Sequence, residues 1–292
     1  MTTVNVRFPA PKDGHLTPQM KQTWDANGVL LLEGFKSEAE CDALTERARH
    51  MASEADLTNA GIFASAQAAA ERDEYFRASG DTVRCFLEEE AIDDNGSLLV
   101  DPVEAINKIG HAMHDLDPVF DAFSHSAKLA ALAKDLGLKD ARVLQSMFIF
   151  KPPRIGGEVL WHQDGTYLYT EPQSVIGFWF ALDDASKENG CLWAIPGGHG
   201  ETLRTRFVRE GDGFDTWALD GTEFDIANSI ALPARKGDMV VLHGRLPHAS
   251  EYNRSDRSRH AYTLHVVDGA CDYPENNWLQ RHDDMPLRGF ER

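Results

Sequence analysis

The chain before residue 141 shows helical start and stop signals around short apolar stretches. A cap threonine followed by proline predicts a helix over 17–28, and the apolar run 29–32 predicts a buried strand. A Ser-Glu-Ala-Glu capping box opens a predicted helix over 37–51. Apolar residues recur near helical spacing in 116–136 and predict further helix there.

After residue 141 the pattern changes to short apolar runs separated by turn residues. The runs are rich in Val, Ile, Phe, Tyr and Trp, which favour strands. They cover 143–150, 159–162, 175–182, 191–195, 239–242 and 262–267. Helices that support a β-rich second half are typical of a jelly-roll, cupin-like barrel, so the predicted fold class is mainly β with flanking helices.

The domain organisation follows from the absence of repeats, low-complexity tracts and Gly/Ser-rich linkers. We expect a single domain over 17–292, preceded by a flexible N-terminal arm over 1–16. The Ala-rich, polar segment 52–80 predicts short helices or a mobile flap that closes over the functional site. An Asp-Asp-Asn-Gly turn predicts a hairpin with strands at 83–87 and 98–100.

The composition is acidic, with 29 basic and 47 acidic residues and a net charge of −18. This charge argues against nucleic acid and anionic membranes as partners, since both attract Lys and Arg. The 4 cysteines include no C-x-x-C pair, so we expect reduced thiols. No apolar run is long enough to span a membrane, and residues 1–11 contain no apolar core of a signal peptide. We expect a cytoplasmic protein with a small-molecule substrate; the oligomeric state is left open.

A candidate metal site lies at the end of the predicted strand 159–162. Residues i and i+2 of a strand face the same side, so His162 and Asp164 can converge on one point while Gln163 faces away. His248 follows a later predicted strand and can supply a third ligand. Two His and one carboxylate form the facial triad, which leaves open positions on an iron ion. An H-x-D tripeptide by itself is more often part of a polar loop.

Other histidines compete for a role in metal binding. His243 ends an apolar run and is the main rival of His248, although a core histidine is the commoner outcome there. His111 and His114 stand at i and i+3 of a possible helix but have no carboxylate at matching spacing. His265 alternates along a predicted strand and is read as structural.

Arg259 is the candidate that connects the metal site to an organic co-substrate. It stands at the start of the predicted strand after His248. A guanidinium there can pair bidentately with the distal carboxylate of a keto-diacid. The alternative is a surface charge beside Arg254 and Arg257.

Several ordered strings resemble the phytanoyl-CoA dioxygenase family, and the resemblance covers about residues 18–280. The strings include Gly-Gly-Glu-Val leading into His-Gln-Asp, and Glu-Asn-Gly-Cys-Leu-Trp followed by Ile-Pro-Gly. Such long strings are far more specific than the H-x-D tripeptide. They occupy 106–111, 145–147, 156–164, 169–172, 188–197 and 255–259.

The resemblance implies a double-stranded β-helix and iron(II) bound by His162, Asp164 and His248. It also implies 2-oxoglutarate as co-substrate, its distal carboxylate bound by Arg259 with help from Ser250. Three further residues match positions that line the co-substrate pocket in the family, and Gln145 is a weaker candidate on the same strand as one of them. These three are Lys108, Met147 and Trp179. Read without the family, they are a surface lysine and two core residues.

The implied reaction is hydroxylation of a C–H bond of a small organic molecule, coupled to O₂ and to conversion of 2-oxoglutarate into succinate and CO₂, with ascorbate as a supporting reductant. Asp164 favours hydroxylation, because related iron halogenases carry a small residue in place of the carboxylate.

Two other classes of protein stay open at this point. One is a non-oxidative metal enzyme on a cupin-like barrel, such as a zinc hydrolase or isomerase. The other is a non-catalytic binding protein.

Overall fold

The computed structural model describes residues 4–63 and 74–291. Its helices and strands, numbered along the chain, are given by their bounds. The helices are α1 Pro18–Asn27, α2 Glu38–Glu54, α3 Glu74–Arg77, α4 Met113–Leu116, α5 Pro118–Ser124 and α6 Ala127–Asp135. The strands are β1 Arg7–Pro9, β2 Val29–Glu33, β3 Gly61–Phe63, β4 Val83–Glu88, β5 Ile106–His111, β6 Ala141–Ile149, β7 Val159–His162, β8 Ile176–Ala181, β9 Leu192–Ala194, β10 Thr205–Glu210, β11 Gly213–Ala218, β12 Ile230–Leu232, β13 Met239–His243, β14 His248–Ser250 and β15 Ala261–Asp268.

Two sheets face each other and form the frame of the molecule. The large sheet has the strand order β1-β2-β13-β8-β15-β6-β5-β4-β3, and the small sheet has the order β12-β9-β14-β7. Strands β10 and β11 form a separate antiparallel pair. The predicted class, mainly β with flanking helices in a jelly-roll arrangement, is confirmed, although the two sheets are not joined into one closed barrel.

The large sheet is buried on both faces, which explains the uninterrupted apolar runs of its central strands. On β8, Phe178 and Phe180 pack into the core formed with the helices. Trp179 and Ala181 alternate with them and pack into the core between the two sheets. The inner face of the large sheet, which faces the small sheet, is therefore built from every second residue of each strand.

The helices begin where the sequence predicts, with one exception. Thr17 caps α1, and Ser37 with Glu40 forms the capping box of α2. The region 116–136 is largely helical, as predicted, but it is divided between the end of α4, α5 and α6. Asp117, which precedes Pro118, is extended and caps α5, because proline disfavours helical conformation in the residue before it.

Two further predictions near the N-terminus need correction. The hairpin between 83–87 and 98–100 was wrong, since β4 pairs with β5 and β3 instead. The prediction of a loose arm does not hold for β1, which pairs in parallel with β2 and buries Val6 and Phe8 beside it. Of the proposed flap, 64–73 lies outside the described residues, and closure over the site stays a prediction.

Two other expectations concern reduced thiols and the absence of a membrane-spanning segment. Cys41, Cys85, Cys191 and Cys271 are all free thiols, and the first three are buried. Burial raises the pKa of Cys41 and of Cys85 to about 11, so these thiols are protonated and unreactive at neutral pH. Among the helices described, none combines the length and the apolar character required to cross a bilayer.

Candidate metal centre

The three side chains of the predicted triad meet between the two sheets. Strands β7 and β14 are antiparallel neighbours, and their register places His162 opposite His248 with ring centroids 4.3 Å apart. Asp164 begins the 3₁₀ turn after β7. Its Oδ1 lies 3.7 Å from His162 Nε2 and 3.6 Å from His248 Nε2. The three candidate ligand atoms all lie within 4.8 Å of one another, a spacing that one metal ion can bridge.

Backbone carbonyl groups fix the orientation of both imidazoles. His162 Nδ1 lies 2.8 Å from the carbonyl oxygen of Leu160, and His248 Nδ1 lies 3.0 Å from that of Leu246. A proton on Nδ1 that is donated to a carbonyl leaves the lone pair on Nε2, which faces Asp164. Both rings are thus held as the tautomer that a metal ligand requires.

The charge states also suit a cation. Burial lowers the pKa of His248 to about 4, so its imidazole is neutral at pH 7 and can act as a ligand. Burial alone would raise the pKa of Asp164, but its interactions with the histidines grouped around the carboxylate hold that pKa well below its usual range. A buried carboxylate in this position attracts a divalent cation.

Gln163 faces away from the centre, as predicted, and fixes the loops behind it. Its Nε2 donates to the carbonyl oxygen of Arg245 at 2.7 Å, and its Oε1 accepts from the backbone N–H of Arg204 at 2.9 Å. These contacts tie the segment between His162 and Asp164 to two neighbouring loops.

The inner face of the large sheet forms the wall behind Asp164. Gly177 and His265 are paired across β8 and β15. His265 Nε2 lies 3.4 Å from Asp164 Oδ1, and a Cβ on Gly177 would stand 2.8 Å from Asp164 Oδ2. Sequence reasoning took His265 as structural and did not consider Gly177. A glycine inside an otherwise apolar strand is the signal that could have found it, because such glycines mark close approaches.

The rival histidines lie outside the cluster. The His243 ring packs 5.8 Å from Trp24 and 5.1 Å from His199, centroid to centroid. His111 ends β5 and its Nδ1 lies 2.9 Å from Ser79 Oγ, while His114 lies in α4 with its Nδ1 2.8 Å from Ser146 Oγ. The helical i, i+3 pairing considered for these two does not exist, because a strand ends between them.

One cavity of about 320 Å³ adjoins the candidate metal centre. It is lined by both sheets and brings together the triad and every co-substrate candidate suggested by the family resemblance. These candidates are Lys108, Gln145, Met147, Trp179, Ser250 and Arg259. Strand alternation explains their convergence: Met147, Trp179 and their cross-strand neighbour Thr263 all point to the inner face.

Arg259 is a buried cation and not a surface charge, with only 2% of its surface exposed. Its Nε donates to the carbonyl oxygen of Gly190 at 3.1 Å, and its guanidinium lies 5.3 Å from the centroid of the Trp179 ring. Within the described residues its Nη1 has no hydrogen-bond partner. Burial lowers its pKa to about 10, so the guanidinium stays charged at pH 7. A buried cation with an unused donor suits a carboxylate ligand.

The remaining candidates occupy different walls of the cavity. Lys108 on β5 places its Nζ 3.4 Å from the centroid of the Phe63 ring. Ser250 ends β14, where its Oγ accepts a hydrogen bond of 3.0 Å from Lys151 Nζ. Sequence reasoning missed Lys151, which follows β6 and is buried, and Thr263, whose hydroxyl is buried without a partner among the described residues.

Facing sheets with a His/Asp/His cluster between them define a jelly-roll protein with a candidate site for one metal ion. The chain belongs to the phytanoyl-CoA dioxygenase family, since the family model described as Phytanoyl-CoA dioxygenase (PhyH) matches residues 24–261. The resemblance recognised in the sequence strings is thereby confirmed.

Relatives of similar length support the same assignment. The chain is 42% identical over 287 residues to phytanoyl-CoA dioxygenase domain-containing protein 1 of Bos taurus, covering 93% of this chain and 97% of the relative. It is 43% identical over 274 residues to phytanoyl-CoA dioxygenase 1 of Oryza sativa subsp. japonica, covering 93% of this chain and 96% of the relative.

Solved structures of lower identity share the fold. The non-heme alpha ketoglutarate dependent carbocyclase SnoK from nogalamycin biosynthesis matches with a TM-score of 0.64 at 19% identity, covering 96% of this chain and 99% of that chain. EctD from S. alaskensis, solved with 2-oxoglutarate and 5-hydroxyectoine, matches with a TM-score of 0.60 at 18% identity, covering 92% of this chain and 85% of that chain. At these identities the likeness concerns the architecture alone.

Proposed function

We propose that the protein is an iron(II)- and 2-oxoglutarate-dependent dioxygenase that hydroxylates a C–H bond of a small organic molecule and releases succinate and CO₂. The observation that carries the proposal is the presence of Arg259, buried and with an unused donor, in the same cavity as the His162, Asp164 and His248 cluster. A cation that faces a metal site across one cavity fits a ligand with a metal-binding group at one end and a carboxylate at the other.

His162, Asp164 and His248 would hold the iron. Each offers one ligand atom, and the adjoining cavity would leave room beside a bound ion for co-substrate and O₂. Bound iron supplies the activation of O₂ coupled to oxidative decarboxylation of 2-oxoglutarate, a reaction that no side chain can perform. The protein contributes fixed imidazole tautomers, an ionised Asp164 and a cavity with a largely apolar lining.

Arg259 and Ser250 would bind the distal carboxylate of 2-oxoglutarate, while Trp179 packs beneath the guanidinium. A planar guanidinium suits this task because it offers parallel N–H donors to both oxygens of a carboxylate. Lys108 and Met147 line the same cavity from neighbouring strands of the large sheet. These placements support the residue roles implied by the family.

The substrate would occupy the part of the cavity bounded by aromatic and aliphatic side chains. Phe76, Leu160, Trp161 and Trp278 contribute to this wall, with His111 as a polar group among them. Such a wall suits an organic molecule with a substantial apolar part. The net charge of −18 supports a small-molecule substrate over nucleic acid, and we retain a cytoplasmic location as part of the proposal.

A comparison of two metal forms tests the reaction class. The iron(II)-loaded protein, given 2-oxoglutarate, ascorbate and O₂, should form succinate, whereas the zinc-loaded protein should form none. A zinc form that hydrolyses esters beside an iron form without succinate would favour the hydrolase class. If the protein binds metal and metabolites but neither form turns over, the binding-protein class is favoured. A metabolite panel screened for a mass gain of one oxygen then identifies the substrate.

A further inference from the structure

Lys151 is a buried lysine that lines the cavity, and the family resemblance assigns it no role. It lies between β6 and β7, with 2% of its surface exposed. Its Nζ donates to the carbonyl oxygen of Gly157 at 2.7 Å and to Ser250 Oγ at 3.0 Å. Lys151, Ser250 and Arg259 line the same cavity.

Glycines give the Lys151 side chain its space. A Cβ on Gly190 would stand 2.4 Å from Lys151 Cε, and a Cβ on Gly156 would stand 2.8 Å from its Cγ. Gly190 also accepts the hydrogen bond from Arg259 Nε, and the backbone N–H of Arg259 donates to the carbonyl oxygen of Lys151 at 3.3 Å. Gly190 therefore serves both cations: its carbonyl group holds Arg259, and its lack of a side chain leaves room for Lys151.

The charge balance around Lys151 favours an anionic ligand. Among the residues that the structure describes, neither Lys151 nor Arg259 forms an ion pair, although Glu88, Glu158 and Glu251 act on Lys151 from further away. Glu88 is itself buried, and its Oε2 accepts from the backbone N–H of Gly157 at 3.1 Å. Burial and the neighbouring Arg259 lower the pKa of Lys151 well below its ordinary value. A carboxylate placed between two buried cations would relieve this cost.

The contact between Lys151 and Ser250 also fixes the direction of a hydrogen bond. In its charged form Lys151 can only donate, so Ser250 Oγ then accepts from it. The hydroxyl proton of Ser250 is then left to donate to another group. Since Ser250 lines the cavity, a carboxylate there is a suitable acceptor.

We propose that Lys151 is a positioning residue that selects a co-substrate with a distal carboxylate, by orienting the Ser250 hydroxyl as a donor and adding positive charge beside Arg259. The inference rests on the proposed function, since it names how this chain discriminates 2-oxoglutarate from shorter 2-oxo acids. A 2-oxo monocarboxylate has no group that reaches these cations, so Lys151 adds little to its binding.

Anaerobic calorimetry on the iron(II)-loaded protein tests the inference. We expect wild type to bind 2-oxoglutarate more tightly than 2-oxobutanoate, which lacks the distal carboxylate. Lys151→Met should weaken 2-oxoglutarate binding by about 10- to 100-fold, the loss of a hydrogen bond to a charged group, and should leave 2-oxobutanoate binding within about twofold. Lys187→Met is the matched control, because Lys187 is exposed on a nearby loop.

A double-mutant cycle tests whether Lys151 acts through Ser250. Ser250→Ala should weaken 2-oxoglutarate binding. Lys151→Met should then reduce the affinity for 2-oxoglutarate less in the Ser250→Ala background than in wild type. If Lys151→Met does not fold, Lys151→Gln, which keeps a donor but loses the charge, replaces it and should show a smaller loss that is again confined to 2-oxoglutarate.

The outcomes separate the two proposals. If wild type binds 2-oxoglutarate selectively but the Lys151 variant weakens both ligands equally, or neither, the role of Lys151 is overturned and the proposed function stands. If wild type shows no preference for 2-oxoglutarate over 2-oxobutanoate, the proposed function itself fails, together with the inference that depends on it.

Discussion

Gly177 of the large sheet lies directly against Asp164, the carboxylate that follows β7 of the small sheet, so that a Cβ at position 177 would stand 2.8 Å from Asp164 Oδ2. Because Gly177 has no side chain, Asp164 can occupy its place beside His162 and His248. The metal centre depends on both sheets, although all three candidate ligands come from β7, β14 and the turn after β7.

Gly177→Ala should weaken metal binding. The added methyl group would displace the Asp164 carboxylate. Changes to the residues that orient a metal ligand typically lower the affinity for the metal by about 10- to 100-fold. Metal titration of the purified variant measures this directly. Gly221→Ala is the control, because a Cβ there meets nothing within 4 Å. Unchanged metal affinity in Gly177→Ala would refute the proposed contact.

Asp164→Ala should abolish 2-oxoglutarate turnover. The variant removes the only carboxylate of the cluster and leaves two imidazoles, which hold a divalent ion more weakly than the full triad. Succinate formation is the measurement, and Asp94→Ala on an exposed turn is the control. Full succinate formation by Asp164→Ala would show that the triad assignment is wrong.

Arg259→Met should raise the KM for 2-oxoglutarate by about 30-fold or more. Truncation of one partner of a buried charged pair costs about 2 kcal/mol at the least, and each 1.4 kcal/mol corresponds to about tenfold. Arg259→Lys should restore little, because an ammonium cannot reproduce the parallel donors of a guanidinium. The exposed Arg257 provides the control variant Arg257→Met. A wild-type KM in Arg259→Met would place the distal carboxylate elsewhere.

Binding of 2-oxoglutarate should weaken as the pH rises. Burial and Arg259 lower the pKa of Lys151, so its charge is lost at a lower pH than the value of about 10.4 for an ordinary lysine. A bound carboxylate favours the charged form, so binding takes up protons at a pH where free Lys151 is partly neutral. Calorimetry in buffers of different ionisation enthalpy measures this uptake. The same uptake in Lys151→Met would assign it to another group.

Local sequence signals predicted the parts of the fold that depend on neighbouring residues. Ser37 and Glu40 form the capping box because both partners lie within one helical turn. His162 and Asp164 converge because they are two residues apart at the end of a strand. The break before Pro118 was equally local, and the residue before a proline could have indicated it.

Contacts between distant segments could not be predicted in this way. The pairing of β4 with β5, in place of the expected hairpin, depends on sheet edges formed by the whole chain. Gly177 matters because Asp164 approaches it from another segment. Lys151 matters because Ser250 and Gly190 approach it. Neither residue carries a local signal strong enough to predict its partner. Ser250 was reached only through the family resemblance, which compares whole strings, whereas Arg259 was also indicated by its position after His248.

The most direct test of the central claim is the position of iron in crystals of the iron(II)-loaded protein grown anaerobically with 2-oxoglutarate. Anomalous scattering at the iron edge should give one peak bound by His162 Nε2, Asp164 and His248 Nε2, with the distal carboxylate of 2-oxoglutarate against Arg259 and Ser250. A peak at His243 and His199, or at His111 and His114, or a 2-oxoglutarate molecule that does not reach Arg259, would contradict the account.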